Sequence, residues 1–271
     1  MNDVKEIAKK WYQRIGFPKE HDALFEKLLE EEGDLLCMPF AEYDLVENRP
    51  NKGKNLIMFL YFCEELSLKY KDKSIPEDIL MATLQDFIVS VERQYKLTGQ
   101  LGIVRAGVLA DHLSMRLFRL GRISFCMTGA CMDIPEKGIK AGEPVLDLHV
   151  APGEPLTMDA CEKSFQAAET FFAEFFPEYQ YRYYTGFSWM FDKTINQFLK
   201  EDSNILQFQK LFEPVYEREQ DSILQFLFKY GMTDREELRE CPAETSFARK
   251  VKEYALTGGK FYNVLAVRER G

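Results

Sequence analysis

Residues 142–189 read GEPVLDLHVAPGEPLTMDACEKSFQAAETFFAEFFPEYQYRYYTGFSW. The first segment, 143–150, alternates. On a strand Val145, Asp147 and His149 share one face and Leu146, Leu148 and Val150 the other. One face is apolar. The other carries a carboxylate and an imidazole two residues apart, roughly 6–7 Å along the chain. Ala151-Pro152-Gly153-Glu154-Pro155 stops the strand. Thr157 then suits a helix N-cap, with Asp159 in the first turn. Cys161, Phe165, Ala168, Phe172, Phe175 and Phe176 follow at helical spacing, and Pro177 ends the helix. Residues 179–188 are tyrosine-rich and predict a second strand. Strand, helix and strand make a βαβ unit, so the two strands are expected to be parallel neighbours or near neighbours.

The remaining sequence bounds what such a unit can belong to. A chain of 271 residues holds one large or two ordinary domains, and 46% hydrophobic residues suffice for a sizeable core. A net charge of −9 repels phosphate backbones and argues against nucleic acid as a partner. The opening MNDVKEIAKKWYQRIG is charged and amphipathic and has no apolar signal core. The most apolar run, 56–63, has eight residues, too few to span a bilayer. We therefore expect a cytoplasmic protein without a membrane partner. The six cysteines (37, 63, 126, 131, 161 and 241) form no CxxC pair, and the three histidines are scattered. No metal set follows from such spacing, and reduced, mostly buried thiols are expected.

Before residue 118 the periodicity is helical throughout. Helices are predicted over 3–13, 18–31, 54–70, from the Ser74 cap to Gly99, and over 104–117, the fourth opened by a Ser74/Glu77 capping box with Pro76 in the first turn. His21 lies near an apolar helix face and is expected to be structural. From 122–132 onward strands and helices alternate. A helix over 203–211, a strand over 212–216, helices over 220–230 (closed by Gly231) and 244–256, and a last strand over 260–267 complete the pattern. No linker separates the two textures. The expected fold class is α+β: an all-helical N-terminal domain, residues 1–118, packed on a mixed β-sheet domain with flanking helices, residues 119–271.

Several blocks in this order resemble one family. They are residues 142–179 of the stretch above, the Ser188-Trp189 pair, DSNILQFQKLF at 202–212, IPEDILMATLQDFIVSVERQYKLTG at 75–99 and MRLFRLGRISF at 115–125. Together they resemble acyltransferases that join a helical N-acyltransferase N-terminal domain to a GNAT-like C-terminal domain. The element order agrees: GNAT folds run strand, pyrophosphate loop, helix, strand, helix, strand, strand. The resemblance implies a GNAT-like sheet and an acetyl-CoA or other acyl-CoA co-substrate wedged between two splayed central strands. The CoA pyrophosphate would then rest on backbone N–H groups at the start of the helix, around residues 153–160. Val150, Gly153 and Thr157 are the implied cofactor contacts. The usual glycine-rich GNAT loop pattern is replaced by Ala-Pro-Gly-Glu-Pro, and the Cys-His that often precedes the Ser-Trp pair is replaced by Gly186 and Phe187.

The implied reaction is acyl transfer to a small-molecule amine, which needs a base for the amine proton and a donor for the leaving thiolate. His149 is the base candidate and Asp147 its partner; the bland alternatives are a packing histidine and an arginine's counter-ion. Ser188 can bind substrate or protonate the thiolate, and no Gly-x-Ser-x-Gly elbow makes it a hydrolase nucleophile. Among Tyr179, Tyr181, Tyr183 and Tyr184, the resemblance implies an acid role for one, taken as Tyr184, against sheet packing for the rest. Arg122, with Arg116 and Arg119 at spacing three, can grip CoA phosphates or pair with the chain's own carboxylates. Trp189, Ser203 and Asn204 are candidate substrate contacts; core packing and a helix cap are the competing readings. The rival to an enzyme is a catalytically silent GNAT-like module that binds a ligand or partner.

Overall fold

The computed structural model describes residues 3–271 apart from 34, 45–47, 49, 104, 105, 230, 231 and 233. The chain forms two compact units: Met1–Cys126 with Val150–Pro152 and Gln166–Pro177, and Met127–His149 with Gly153–Phe165 and Glu178–Gly271.

The first unit opens with α1 (Val4–Ile15). Asp3 caps it by accepting from the Lys5 N–H at 3.0 Å, and Gly16, at φ 84°, closes it. Next come α2 (Asp22–Glu31), α3 (Lys52–Asp72), α4 (Glu77–Thr98) and α5 (Ala106–Leu113). Leu56, Ile57, Phe59 and Leu60 of α3 are fully buried, as their unbroken apolar run demands, and Phe59 stacks on Phe87 of α4 at 3.8 Å. His21 is buried, with Nε2 2.5 Å from a Glu92 carboxylate oxygen and its ring edge-on to Tyr95. The expected capping box at α4 does not form. Pro76 occupies the cap position without a side-chain bond, and Ser74 sits at φ 58°, in the left-handed region, one turn too early to reach the helix.

Two short strands follow, β1 (Leu117–Leu120) and β2 (Ile123–Gly129), paired antiparallel across Gly121-Arg122. The helix predicted over 104–117 is thus shorter than expected. Its chain turns at Met115 (φ 52°), and Leu117 already belongs to β1. Residues 104 and 105 lie outside the described residues.

The second unit holds β3 (Pro144–His149), which pairs with β4 (Tyr183–Ser188) in parallel through Leu146 and Asp147. The crossover is α6 (Met158–Phe175). After it come α7 (Asn204–Gln209), β5 (Glu213–Glu219), α8 (Ser222–Leu227), α9 (Ser246–Leu256) and β6 (Tyr262–Glu269). The sheet order is β1-β2-β3-β4-β6-β5. The expected parallel β3–β4 pair is present. β6 inserts antiparallel between β4 and β5, pairing Ser188 with Val264 and Phe187 with Leu265. The β5 ladder carries an irregularity between Pro214 and Tyr216. The proposed closure of the 220–230 helix by Gly231 lies outside the described residues.

Among the described residues the cysteines form no disulfide: Cys63, Cys126 and Cys161 are buried, Cys241 partly so, and Cys37 and Cys131 are exposed. Among the described residues no helix is long and apolar enough to cross a membrane, and no group of three or more His, Cys, Asp or Glu is placed to hold a metal.

Candidate active site

Asp147 and Thr185 are direct partners in the β3–β4 register, so their side chains rise from the same sheet face. The Thr185 hydroxyl donates to Asp147 Oδ1 at 2.9 Å. The other carboxylate oxygen, Oδ2, lies 3.7 Å from His149 Nε2, close enough for ion pairing and too long for a hydrogen bond. Thr185 is buried, while the Asp147 and His149 side chains are 32% and 50% exposed. A buried hydroxyl thus fixes a carboxylate that faces a solvent-accessible imidazole. Sequence reasoning found Asp147 and His149 and missed Thr185. Nothing in the sequence marks a partner 38 residues away until the register of the two strands is known.

The hydrogen-bonded ladder ends just beyond this contact. Among the described residues the β3–β4 register pairs Leu146 with Tyr184 and Asp147 with Thr185 and then stops. β3 nevertheless continues to His149 and β4 to Ser188. The backbone polar groups of Leu148 and His149 that point toward β4 therefore need partners other than β4. Gly186 follows, and a Cβ there would meet the Phe191 ring at 2.9 Å and lie 4.0 Å from the Leu148 Cβ, so a larger residue needs Phe191 to shift.

Ser188 ends β4. Its hydroxyl accepts from the Met190 N–H at 3.2 Å, capping the 3-10 turn Trp189–Phe191, and keeps its own hydrogen to donate. After β3, Thr157 caps α6: its Oγ1 accepts from the Ala160 N–H at 3.3 Å. The amides of Met158 and Asp159 lie in the first turn, where a helix leaves its N–H groups unused. Gly153, at φ 107°, needs a conformation that favours glycine. Asp159, whose carboxylate would repel a phosphate in this first turn, is paired with Lys163 at 2.8 Å one turn on, which offsets part of its charge.

Other candidates lie apart from this group. Tyr184 is fully buried, its ring edge-on to Phe165 at 4.8 Å and its hydroxyl 3.2 Å from that of Tyr181. Tyr179 donates to the carbonyls of Thr128 and Val145, and Tyr183 to that of Lys137. All four tyrosine hydroxyls are therefore engaged by the protein itself. Trp189 is 9% exposed and packs on Phe226 at 5.2 Å, in a core cluster with Ile195, Leu238 and Val251. Ser203 occupies the cap position of α7 without a side-chain bond, and Asn204 is the first residue of that helix.

Val150 and Arg122 belong to the first unit. Arg122 is buried and donates to the Ala151 carbonyl at 2.8 Å. Arg116 and Arg119 do not join it on one face, because they fall on a turn and a strand where spacing three is not a face. Arg116 pairs with Asp111 at 2.7 Å and Arg119 with Asp86 at 2.9 Å, the internal pairing weighed above.

Comparisons with known proteins bear on the fold and the family. Residues 117–267 match the model of a GNAT-like C-terminal domain, and residues 2–115 that of an N-acyltransferase N-terminal domain. No curated protein matches the chain. Among solved structures, an acyltransferase in complex with CoA and 10C-teicoplanin superposes with a TM-score of 0.78 at 23% identity, covering 97% of this chain and 88% of that one. An acyltransferase in complex with decanoyl-CoA gives 0.76 at 24% identity, with 97% and 88% covered. A mutant acyltransferase in complex with octanoyl-CoA gives 0.76 at 23%, with 98% and 88% covered. At such identities the likeness establishes the fold. The family matches extend further, because one of them alone spans more than half of the sequence: the chain belongs to the family that joins an N-acyltransferase N-terminal domain to a GNAT-like C-terminal domain.

Proposed function

We propose that the protein is an acyl-CoA-dependent N-acyltransferase acting on a small-molecule amine. The observation that carries this reading is the end of the β3–β4 ladder immediately after the Asp147–Thr185 pair, with His149 and Ser188 at the two strand ends. A pantetheine arm carries amides that match the strand-edge groups of Leu148 and His149. The N–H groups at the start of α6 suit the pyrophosphate, with Gly153 and Thr157 beside it. Solved acyltransferases of this fold hold octanoyl-CoA, decanoyl-CoA and CoA, and one holds teicoplanin with decanoyl-CoA, which supports the acyl-CoA half of the reading. We assign the transfer to residues 119–271 and read residues 1–118 as the accompanying helical domain.

In the reaction the amine nitrogen attacks the thioester carbonyl carbon. A C–N bond forms and the C–S bond breaks. His149 takes the amine proton, and Asp147, fixed by Thr185, stabilises the imidazolium that results. The leaving thiolate takes a proton through the Ser188 hydroxyl, which regains one from solvent. Tyr184, Trp189, Ser203, Asn204, Val150 and Arg122 act in this reading by shaping the strands and loops around the opening.

A second reading, a catalytically silent GNAT-like binding module, draws on the loop 151–155, whose two prolines remove N–H donors and whose Glu154 is acidic. Calorimetric titration with acetyl-, octanoyl- and decanoyl-CoA separates the two, together with turnover by His149→Ala. Binding of an acyl-CoA and a loss of turnover of roughly 10²-fold or more in the variant support the enzyme. Binding without turnover on any amine supports the silent module. Absence of binding to all three co-substrates removes the enzyme reading.

A further inference from the structure

The same sheet face continues past the Asp147–Thr185 contact into a patch that the reading above leaves unused. Among the described residues four large hydrophobic side chains are more than a third exposed, and two of them, Phe187 at 37% and Tyr216 at 42%, are neighbours. Both flank Leu265 in register, from β4 and β5, so they rise on one face, with ring centroids 6.4 Å apart and planes inclined by 32°. Phe187 follows Thr185 by two residues, which places it roughly 6–7 Å along β4 from the Asp147–Thr185 contact. Arg218, opposite Asn263 on the same face, lays its guanidinium 5.4 Å from the Phe187 centroid. It donates to Gln220 Oε1 at 2.8 Å, and among the described residues no carboxylate lies within ion-pairing distance of it. In a chain of net charge −9, an exposed arginine without such a partner is a place for an external anion.

We propose that this face is the acceptor site and that its substrate is an aromatic amino carboxylate. The ring lies on Phe187 and Tyr216, the carboxylate meets Arg218, and the amine is delivered to the Asp147–His149 pair. The charge order fits: a fixed cation at the aromatic end and a fixed carboxylate at the end where the amine must arrive. The proposal rests on the acyltransferase reading for the meaning of the site and adds the chemical class of the acceptor.

The test uses 4-(aminomethyl)benzoate and benzylamine, which differ by the carboxylate alone, as probes of the full chain. Saturation-transfer NMR without co-substrate reads the face by itself, and a decanoyl-CoA titration of each variant reads the opening between β3 and β4. Wild type is expected to favour 4-(aminomethyl)benzoate over benzylamine by about tenfold, the scale of one charge-assisted contact. Arg218→Gln should abolish that preference and leave benzylamine unchanged. Phe187→Ala should weaken both probes several-fold. Decanoyl-CoA binding should survive both substitutions, which also reports that the variants fold. Equal binding of the two probes to wild type, a preference that survives Arg218→Gln, or no binding of either probe at millimolar concentration overturns the proposal. A wild-type dimer that Phe187→Ala dissociates in sedimentation would assign the patch to a second copy and also overturn it. Loss of decanoyl-CoA binding by wild type, with the probe preference intact, strikes the acyltransferase reading and leaves the aromatic anion site standing.

Discussion

Thr185→Val deletes one hydrogen bond while keeping the shape of a buried side chain. The bond, 2.9 Å from hydroxyl to Asp147 Oδ1, is made to a carboxylate, the class worth about 1.5–3 kcal/mol. Asp147 is 32% exposed, so water replaces part of the interaction, and we expect a loss near the lower limit, about 1–1.5 kcal/mol. Asp147→Ala should destabilise by a similar amount, since it leaves the buried Thr185 hydroxyl without its acceptor. The double variant should be little worse than either single one, giving a coupling energy of about 1 kcal/mol. Urea unfolding followed by Trp189 fluorescence in a Trp11→Phe background measures all four corners of the cycle, because these are the two tryptophans of the chain. Turnover should fall in Thr185→Val as well, since a carboxylate released from Thr185 no longer faces the imidazole in one geometry. A coupling energy near zero refutes the reasoning. It would mean that the two side chains are neighbours by register only, and that Thr185 does not position the acid–base pair.

Other expectations test the packing around the same site and the pH response of the helical unit. Gly186→Ala places a Cβ 2.9 Å from the Phe191 ring, so thermal denaturation should show a loss of about 1–3 kcal/mol, largely restored by Phe191→Leu in the same chain. Trp189→Ala should cost about 3–5 kcal/mol of stability, with acyl-CoA affinity in the surviving folded fraction unchanged. A variant as stable as wild type but unable to bind would instead make Trp189 a ligand contact. Glu64 accepts from Lys10 Nζ and Trp11 Nε1, each at 2.8 Å. The Lys10 bond, opposed by partial burial and helped by Trp11, holds its carboxyl below the usual range. Its folded value is thus depressed: the stabilisation is present above the unfolded value near 4.3 and is lost as pH falls through the folded value. Acid titration of stability should therefore be steeper in wild type than in Glu64→Gln below about pH 4.

Much of the fold could be read from periodicity. The alternation 145–150, the phenylalanine stripe of α6 and the tyrosines of β4 each obey one geometric rule, and all three elements form. Failures occurred where local signals conflict with the chain's path. Ser74 has the residue type of a cap and the backbone of a left-handed turn. Leu117–Leu120 is four residues of mostly apolar sequence, too short for periodicity to tell strand from helix, and only its pairing with β2 decides. The site divides in the same way. Asp147 and His149 were legible because they share a strand face. Thr185, Tyr216 and Arg218 were not, because they join that face only through the order β3-β4-β6-β5, which non-consecutive strands create. The arginines at spacing three show the reverse error: a helical rule applied to a strand and its turn, where each residue finds its own partner.

The most direct test of the central claim is a crystal structure of the protein soaked with decanoyl-CoA. The account predicts the pantetheine arm in the opening between β3 and β4, its amides bonded to the backbone near Leu148 and His149, and the thioester sulfur beside Ser188. Decanoyl-CoA bound elsewhere on the chain, or β3 and β4 paired through to His149 and Ser188 with no ligand between them, would contradict it.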